Sequence, residues 1–285
     1  MVNGQVSELL YVVCGVPQGS TLGPLLFLLY INDLANASNF LTSLFADDTC
    51  LLMSDSDLNS LRLRCNAELV HINNWFLSNR LTANLSKASK YMLTLGKSRL
   101  SYPPDFVIKM GEAISKQVKS IKYLGVIFDD QFKWDKHVSY LTSKLSCSVG
   151  VLSKLRYYTN TQTLLLVYNA LVGSHLTYAL TTWGSASQTI LQPLRVLQNR
   201  AIRFITRAPR FRRLDLDFLN LRILKLDDLH KLALSKFMYQ YYHGKLPDFF
   251  KDFFPVQQIL HHYQTRHRLN SSTNLCPIEC NKVLM

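Results

Sequence analysis

The feature that most constrains this chain is a pair of adjacent carboxylates, Asp47 and Asp48, between two apolar stretches that favour β-strands. Residues 40–45 precede the acids, and residues 49–53 resume the apolar pattern after them. Two short strands interrupted in this way predict a β-hairpin with both carboxylates at its turn. Hard cations such as Mg²⁺ prefer oxygen ligands of this kind, supplemented by substrate phosphates. By itself, the same pattern is also typical of a solvated turn.

A loop rich in glycine and proline lies upstream and leads directly into an apolar segment, residues 22–31. Gly15 and Gly19 permit close approach of a ligand to the backbone, and Pro17 fixes one φ angle. Gln18 offers both an amide donor and a carbonyl acceptor. The alternative is an ordinary loop before a helix. Because spanning a bilayer takes about 20 apolar residues, we predict a core helix over this segment and no membrane contact.

Two motifs at this spacing, Gly-Val-Pro-Gln-Gly-Ser at 15–20 and Phe-Ala-Asp-Asp at 45–48, resemble the reverse transcriptases of non-LTR retrotransposons. The likeness is to LINE-type elements of the jockey and CR1 kind. It continues through residues 74–87 and 123–137, and more loosely through 198–239. The resemblance implies RNA-templated DNA synthesis, in which the 3′ hydroxyl of a DNA primer attacks the α-phosphate of a deoxynucleotide and pyrophosphate leaves.

The resemblance also implies roles for individual residues. Asp47 is the expected metal ligand and Asp48 the second acid, with two Mg²⁺ ions in the complete enzyme. Lys87 is expected near the nucleotide phosphates, where an ammonium neutralises charge or protonates pyrophosphate; the alternative is a solvated loop lysine. The further expected contacts are Gly15, Pro17, Gln18, Gly19, Phe45 and Ala46 on the nucleotide and template side, and Tyr123, Leu124 and Gly125 on the primer side.

A further carboxylate, on a strand that precedes the Gln-Gly loop in this family, has no counterpart in the sequence. Only residues 1–13 lie before the loop, and their one acid is Glu8. Two divalent ions about 4 Å apart repel each other and need bridging acids. We therefore expect the C-terminal part of a polymerase. The alternatives are a catalytically inactive remnant that at most binds nucleic acid, and a host interaction protein that reuses the helical half.

The charge distribution favours an anionic partner. The chain has a formal net charge of +13, yet residues 1–61 contain no Lys or Arg. Residues 195–213 contain seven arginines on and after an amphipathic helical pattern. We expect these arginines to contact the nucleic-acid backbone, with a solvated helix face as the alternative. The four expected contacts on the helix itself are Arg195, Arg200, Arg203 and Arg207.

The predicted fold class is α+β, with a partial polymerase palm over residues 1–130 and a mostly helical thumb-like region over 131–285. The palm fragment is expected to be an antiparallel sheet with packing helices, and its long helix to begin after Asp55 or Ser56 as N-cap. The tryptophans and other aromatics are expected to fill cores. The predicted helices are 58–76, 136–156, 161–178 and 191–207, and the predicted strands lie in 91–95, 106–108 and 122–128.

The six cysteines are scattered without the spacing of a disulfide framework. This pattern predicts a reducing intracellular location, in the nucleus or the cytoplasm, and a protein that is not secreted. Cys276 and Cys280 lie near three histidines, but the spacing is poor for zinc, so we predict no structural metal there.

Overall fold

The structure is a computed structural model that describes residues 16, 19–81, 90–92, 106–111, 113–248, 250 and 283–284. The chain forms two compact units, residues 1–118 with 282–285 and residues 119–281. Cys276 and Cys280 lie outside the described residues. Within the described part, no helix is both long and apolar enough to cross a bilayer.

The first unit contains two helices and several short strands. Its elements are α1 (Gly23–Ile31), β1 (Leu41–Phe45), β2 (Asp48–Leu52), β3 (Ser54–Asp55), α2 (Leu58–Ser78), β4 (Lys90–Tyr91), β5 (Lys109–Met110), β6 (Ala113–Ile114) and β7 (Lys116–Gln117), with β10 (Val283–Leu284) paired to β3. A 3₁₀ turn, Asn32–Asn36, follows α1.

The predicted hairpin is confirmed as an antiparallel pair of β1 and β2. Leu41 lies opposite Leu52, and Phe45 lies opposite Asp48. Thr42 and Leu44 are half-buried, whereas the alternate residues of β1 are exposed. This two-residue periodicity places one face of the hairpin against the unit's core and leaves the other face open.

The helix α1 is confirmed, but the prediction that it is a core helix is wrong for the described chain. Phe27 and Ile31 pack into the apolar cluster of the first unit. Leu25, Leu28 and Leu29 are exposed, Leu29 by 68%. The segment is apolar on all sides, and the described neighbours cover only the side that carries Phe27 and Ile31.

The helix α2 is confirmed, and its N-cap is Asp57 instead of Asp55 or Ser56. The Asp57 carboxylate accepts a hydrogen bond of 2.7 Å from the Ser60 N–H. Asp55 binds Arg64 at 2.8 Å, and this guanidinium lowers the pKa of Asp55. The buried face of α2 packs against Phe40 and Met53 from the hairpin region; its residues are Leu61, Cys65, Leu69 and Ile72.

The predicted strand at residues 106–108 is wrong, because this segment forms no ladder. Its backbone groups are bound by other partners: the Asn66 side chain donates to the Val107 carbonyl, and the Ser115 N–H donates to the Ile108 carbonyl. Phe106 and Ile108 are nevertheless buried. The ladder starts one residue later, where β5 and β6 pair, and β4 pairs with β7 in parallel.

The second unit begins with a hairpin and continues as helices. Its elements are β8 (Ser120–Tyr123), β9 (Val126–Asp129), α3 (Asp135–Leu155), α4 (Thr161–Tyr168), a π-helical turn (Asn169–Gly173), α5 (Ser174–Thr177), α6 (Leu180–Trp183), α7 (Gln188–Thr206), α8 (Asp215–Asn220) and α9 (Leu226–Tyr242). The predicted helix 161–178 is thus present with a π turn inside it. Helices and small, mostly antiparallel sheets confirm the α+β class.

The core of the second unit lies between α3, α4 and α7. Trp134 and Trp183 are buried in it, as predicted, whereas Tyr239 and Tyr242 on α9 are exposed. Gln198 of α7 is also buried, and its amide donates to the Tyr168 hydroxyl while its oxygen accepts from the Leu226 N–H. Because these groups of Gln198 are hydrogen-bonded, its burial does not leave an unpaired polar group.

Candidate functional site

The turn of the β1–β2 hairpin carries the two carboxylates. Ala46 and Asp47 are its central residues, and Asp48 is the first residue of β2. Ala46 has a φ of +52°, the sign that type II′ turns require at their first central position. A residue other than glycine in this region costs about 1 kcal/mol or more. The hairpin therefore holds a strained turn at the position of its acids.

Asp47 and Asp48 are exposed, and neither carboxylate has an ion pair or a hydrogen bond with another described residue. Asp48 shares a sheet face with Phe45, its cross-strand partner, which is 62% exposed. Two free carboxylates suit a hard divalent cation. Within the described residues, no three His, Cys, Asp or Glu side chains form a group that could hold a metal, so Asp47 and Asp48 are two oxygen donors without a third such side chain beside them.

The Gln-Gly loop is described only in part, because Gly15, Pro17 and Gln18 lie outside the described residues. Lys87 lies outside them as well. Gly19 has a φ of +83°, and a Cβ built on it would meet no atom within 4 Å. The Ser20 hydroxyl accepts a hydrogen bond of 3.1 Å from the Gly23 N–H at the start of α1. The requirement for glycine at position 19 is therefore conformational.

The predicted primer-side residues form the turn of the β8–β9 hairpin. Tyr123 lies opposite Val126, and the two-residue loop between them is Leu124 and Gly125. Their φ angles are +45° and +80°, the combination that a type I′ turn requires. The Tyr178 hydroxyl donates a hydrogen bond of 2.6 Å to the Leu124 carbonyl. This clamp on the turn was not predicted from the sequence.

The three arginines of α7 and Arg207, which follows its last residue, have different surroundings. Arg195 forms a forked pair with Asp227 through bonds of 3.0 and 2.7 Å. Arg207 donates to the carbonyl of Arg156 at 3.1 Å, at the C-terminal end of α3. Arg200 lies over the Phe204 ring, and the Nε of Arg203 is buried without a hydrogen-bond partner among the described residues.

The candidate residues fall into two groups. Phe45, Ala46, Asp47 and Asp48 share one hairpin of the first unit. The turn at 124–125 and the arginines of α7 belong to the second unit. Each group thus has its own local framework, a hairpin turn for the acids and a clamped turn with a basic helix for the other residues.

Comparison with known proteins shows which family this sequence resembles. Residues 1–128 match the family model described as reverse transcriptase (RNA-dependent DNA polymerase). That span contains both the Gln-Gly loop and the carboxylate hairpin. No solved structure matches the chain.

Curated relatives extend the similarity beyond the hairpin. The chain is 28% identical over 68% of its length to the probable RNA-directed DNA polymerase from transposon X-element of Drosophila melanogaster, and covers 22% of that protein. It is 24% identical over 83% of its length to the RNA-directed DNA polymerase from mobile element jockey of the same organism, and covers 26% of it. The chain therefore spans about a quarter of the length of these relatives.

Proposed function

Because this chain is a relative of the reverse transcriptases of non-LTR transposable elements, we propose that it forms part of an RNA-directed DNA polymerase. In this proposal, residues 1–130 contribute to the palm and residues 131–285 form a thumb-like region. The partners are an RNA template, a DNA primer and deoxynucleotides. Both the family match and the order of the motifs along the chain support this assignment.

Asp47 and Asp48 are the proposed acids of the nucleotidyl-transfer site. Their free, exposed carboxylates are suited to bind Mg²⁺, with Asp47 as the ligand and Asp48 as the supporting acid. When bound, divalent ions stabilise the charge that develops on the attacking and leaving oxygens during phosphoryl transfer. The strained turn at Ala46 fixes the backbone that presents both acids, so this chain's contribution is to position them before substrate arrives.

The other proposed contacts hold the RNA template, the DNA primer and the nucleotide. Phe45 and Ala46 flank the acids on the nucleotide side, together with Gly15, Pro17, Gln18 and Gly19. The backbone of Tyr123, Leu124 and Gly125 is the proposed primer contact, since glycine lets a strand approach the turn closely. Lys87 is proposed to neutralise the nucleotide phosphates.

The observation that carries the proposal is the hairpin turn with two unpaired carboxylates inside the family-matched span. The test is primer extension by the full chain with Mg²⁺ and a DNA primer on an RNA template. We expect Asp47→Asn to lower nucleotide incorporation to background, whereas Asp135→Asn, an exposed acid at the start of α3, retains it. Incorporation that is equal in wild type and Asp47→Asn would contradict the proposed role.

A second candidate function is nucleic-acid binding without catalysis. The seven arginines between residues 195 and 213 favour it, because such a segment contacts phosphates without needing a metal site. The same preparation distinguishes the two functions. Salt-sensitive binding of the template–primer without Asp47-dependent incorporation would support this second function over the first.

A further inference from the structure

A cleft of about 420 Å³ lies beside α7, between the loop that follows it and the starts of α8 and α9. Its lining includes five cationic side chains and two carboxylates, Asp215 and Asp227. Those cations are Arg195, Arg203, Arg212, Arg213 and Lys225. The cleft is therefore basic, and its capacity to bind an anion depends on which cations lack an ion-pair partner.

Three of the five cations are already paired. Arg195 binds Asp227, Lys225 binds Asp215 at 2.5 Å, and Arg212 binds the buried Asp217 of α8. Arg203 and Arg213 have no carboxylate partner within ion-pair distance among the described residues. Because Asp215 and Asp227 each already form an ion pair with another cation of the lining, Arg203 and Arg213 are available to attract an anion.

The loop after α7 presents an aromatic ring next to these arginines. Phe211 is 92% exposed although it lines the cleft, and the Arg210 guanidinium lies 5.8 Å from the centre of its ring. The Arg212 N–H donates to the Pro209 carbonyl at 3.2 Å, which closes a turn with Phe211 near its tip. The Arg212–Asp217 pair then ties this turn to α8. The turn is therefore attached to α8, and the Phe211 ring on it is exposed.

We propose that this cleft binds an unpaired segment of a nucleic-acid strand, with a base stacked on Phe211 and the adjacent phosphate between Arg203 and Arg213. The inference deepens the proposed function, on which it rests. An exposed aromatic ring offers a stacking surface to any unpaired base, and flanking arginines neutralise the backbone. A base inside a duplex is already stacked on its neighbours, so the cleft favours single strands. This site adds a base-stacking surface, Phe211, to the backbone contacts expected of the arginines between residues 195 and 213.

The test measures fluorescence anisotropy of the full chain with a labelled, unstructured 20-nucleotide RNA and with a blunt RNA duplex. For the single strand, we expect Phe211→Ala to weaken binding roughly 5- to 150-fold and Phe211→Trp to retain it. For Arg213→Ala, we expect the plot of the logarithm of the association constant against the logarithm of the salt concentration to become less steep, by about 1 in the magnitude of its slope. Binding of the duplex should be unchanged by Phe211→Ala.

Matched controls distinguish binding in this cleft from binding through any exposed aromatic or cationic side chain. Tyr242→Ala removes an exposed aromatic side chain, and Lys236→Ala an exposed cation, and neither residue lines this cleft. Both variants should bind the single strand as wild type does. The inference is overturned if wild type does not bind it, if Phe211→Ala binds it normally, or if Phe211→Ala weakens the duplex equally.

The catalytic variant keeps the two proposals apart. Asp47→Asn should bind the single strand with wild-type affinity, because Asp47 belongs to the first unit and the cleft to the second. If primer extension fails but Phe211-dependent binding is observed, the cleft stands without the polymerase activity. If extension depends on Asp47 but binding is independent of Phe211, the cleft assignment is wrong and the polymerase proposal stands.

Discussion

The hydroxyl of Tyr178 donates a 2.6 Å hydrogen bond to the carbonyl of Leu124, which ties the end of α5 to the turn of the β8–β9 hairpin. Tyr178 is itself held in place, because its carbonyl accepts a 2.9 Å hydrogen bond from the Trp183 indole. Trp183 is fully buried in the core of the second unit. The strained turn at Leu124 and Gly125 is therefore anchored to that core through two consecutive hydrogen bonds.

Removing the clamp should loosen this turn. In Tyr178→Phe, the Leu124 carbonyl loses its donor while the ring remains, so we expect a loss of about 1 kcal/mol in the free energy of unfolding. Urea denaturation measures this loss, and faster hydrogen exchange of the Gly125 and Val126 amides should accompany it. Tyr158→Phe is the matched control, because that ring is 86% exposed. Equal stability of the Tyr178→Phe and wild-type chains would show that the clamp contributes nothing.

The turn should also require glycine at position 125. Gly125 has a φ of +80°, and an added Cβ would lie 3.4 Å from the Tyr178 ring. We expect Gly125→Ala to destabilise the chain by about 1 kcal/mol or more, because alanine is strained at this φ. Gly150→Ala in α3 is the opposite control. A Cβ added at Gly150 meets no atom within 4 Å, and alanine should stabilise the helix there by about 0.5–1 kcal/mol. The thermal unfolding temperature should therefore fall in Gly125→Ala and rise in Gly150→Ala.

Features with a local signal were predictable from the sequence. The β1–β2 hairpin follows from apolar residues on both sides of a polar pair, and α3 and α7 follow from apolar residues at helical spacing. In α7, Leu194, Leu197 and Ala201 are buried as that spacing requires. Each of these signals lies within one helix or one hairpin, so no knowledge of a distant partner is needed.

Features that depend on distant partners were not predictable. Tyr178 is 54 residues from Leu124, and nothing in the Leu-Gly pair marks a type I′ turn as Asn-Gly would. Similarly, residues 106–108 are apolar enough for a strand, but the Asn66 side chain of α2 donates to the Val107 carbonyl and accepts from the Lys109 N–H. The exposure of α1 has the same origin, since its composition does not reveal which side its neighbours cover.

A buried carboxylate should be essential to the junction between the β8–β9 hairpin and α3. Asp129 is 4% exposed and accepts hydrogen bonds from three backbone N–H groups, those of Gln131, Lys133 and Trp134. In Asp129→Asn, the amide nitrogen cannot accept, so at least one N–H group loses its partner. We expect the free energy of unfolding to fall by about 2 kcal/mol. Denaturant titration checks this value, and an unaltered midpoint would contradict it.

The stability of the second unit should fall at acidic pH because of His137. This histidine is 2% exposed, its Nδ1 accepts a 3.3 Å hydrogen bond from the Ile127 N–H, and its buried Nε2 has no partner among the described residues. Burial lowers the pKa of His137. The unfolded chain, in which a histidine has a pKa of about 6.5, therefore binds the proton at a higher pH than the folded chain does.

The sign of the effect follows from this difference in proton binding. At pH values well above about 6.5, His137 is neutral in both the folded and the unfolded chain, so it does not change the free energy of unfolding with pH. As the pH falls below that value, stability is lost progressively until the pH passes the lower, folded-state pKa. Urea midpoints measured between pH 8 and pH 5 should decline in wild type and decline less in His137→Gln. His71→Gln replaces an exposed histidine and should retain the wild-type slope. A slope that persists unchanged in His137→Gln would assign the acid sensitivity to another group.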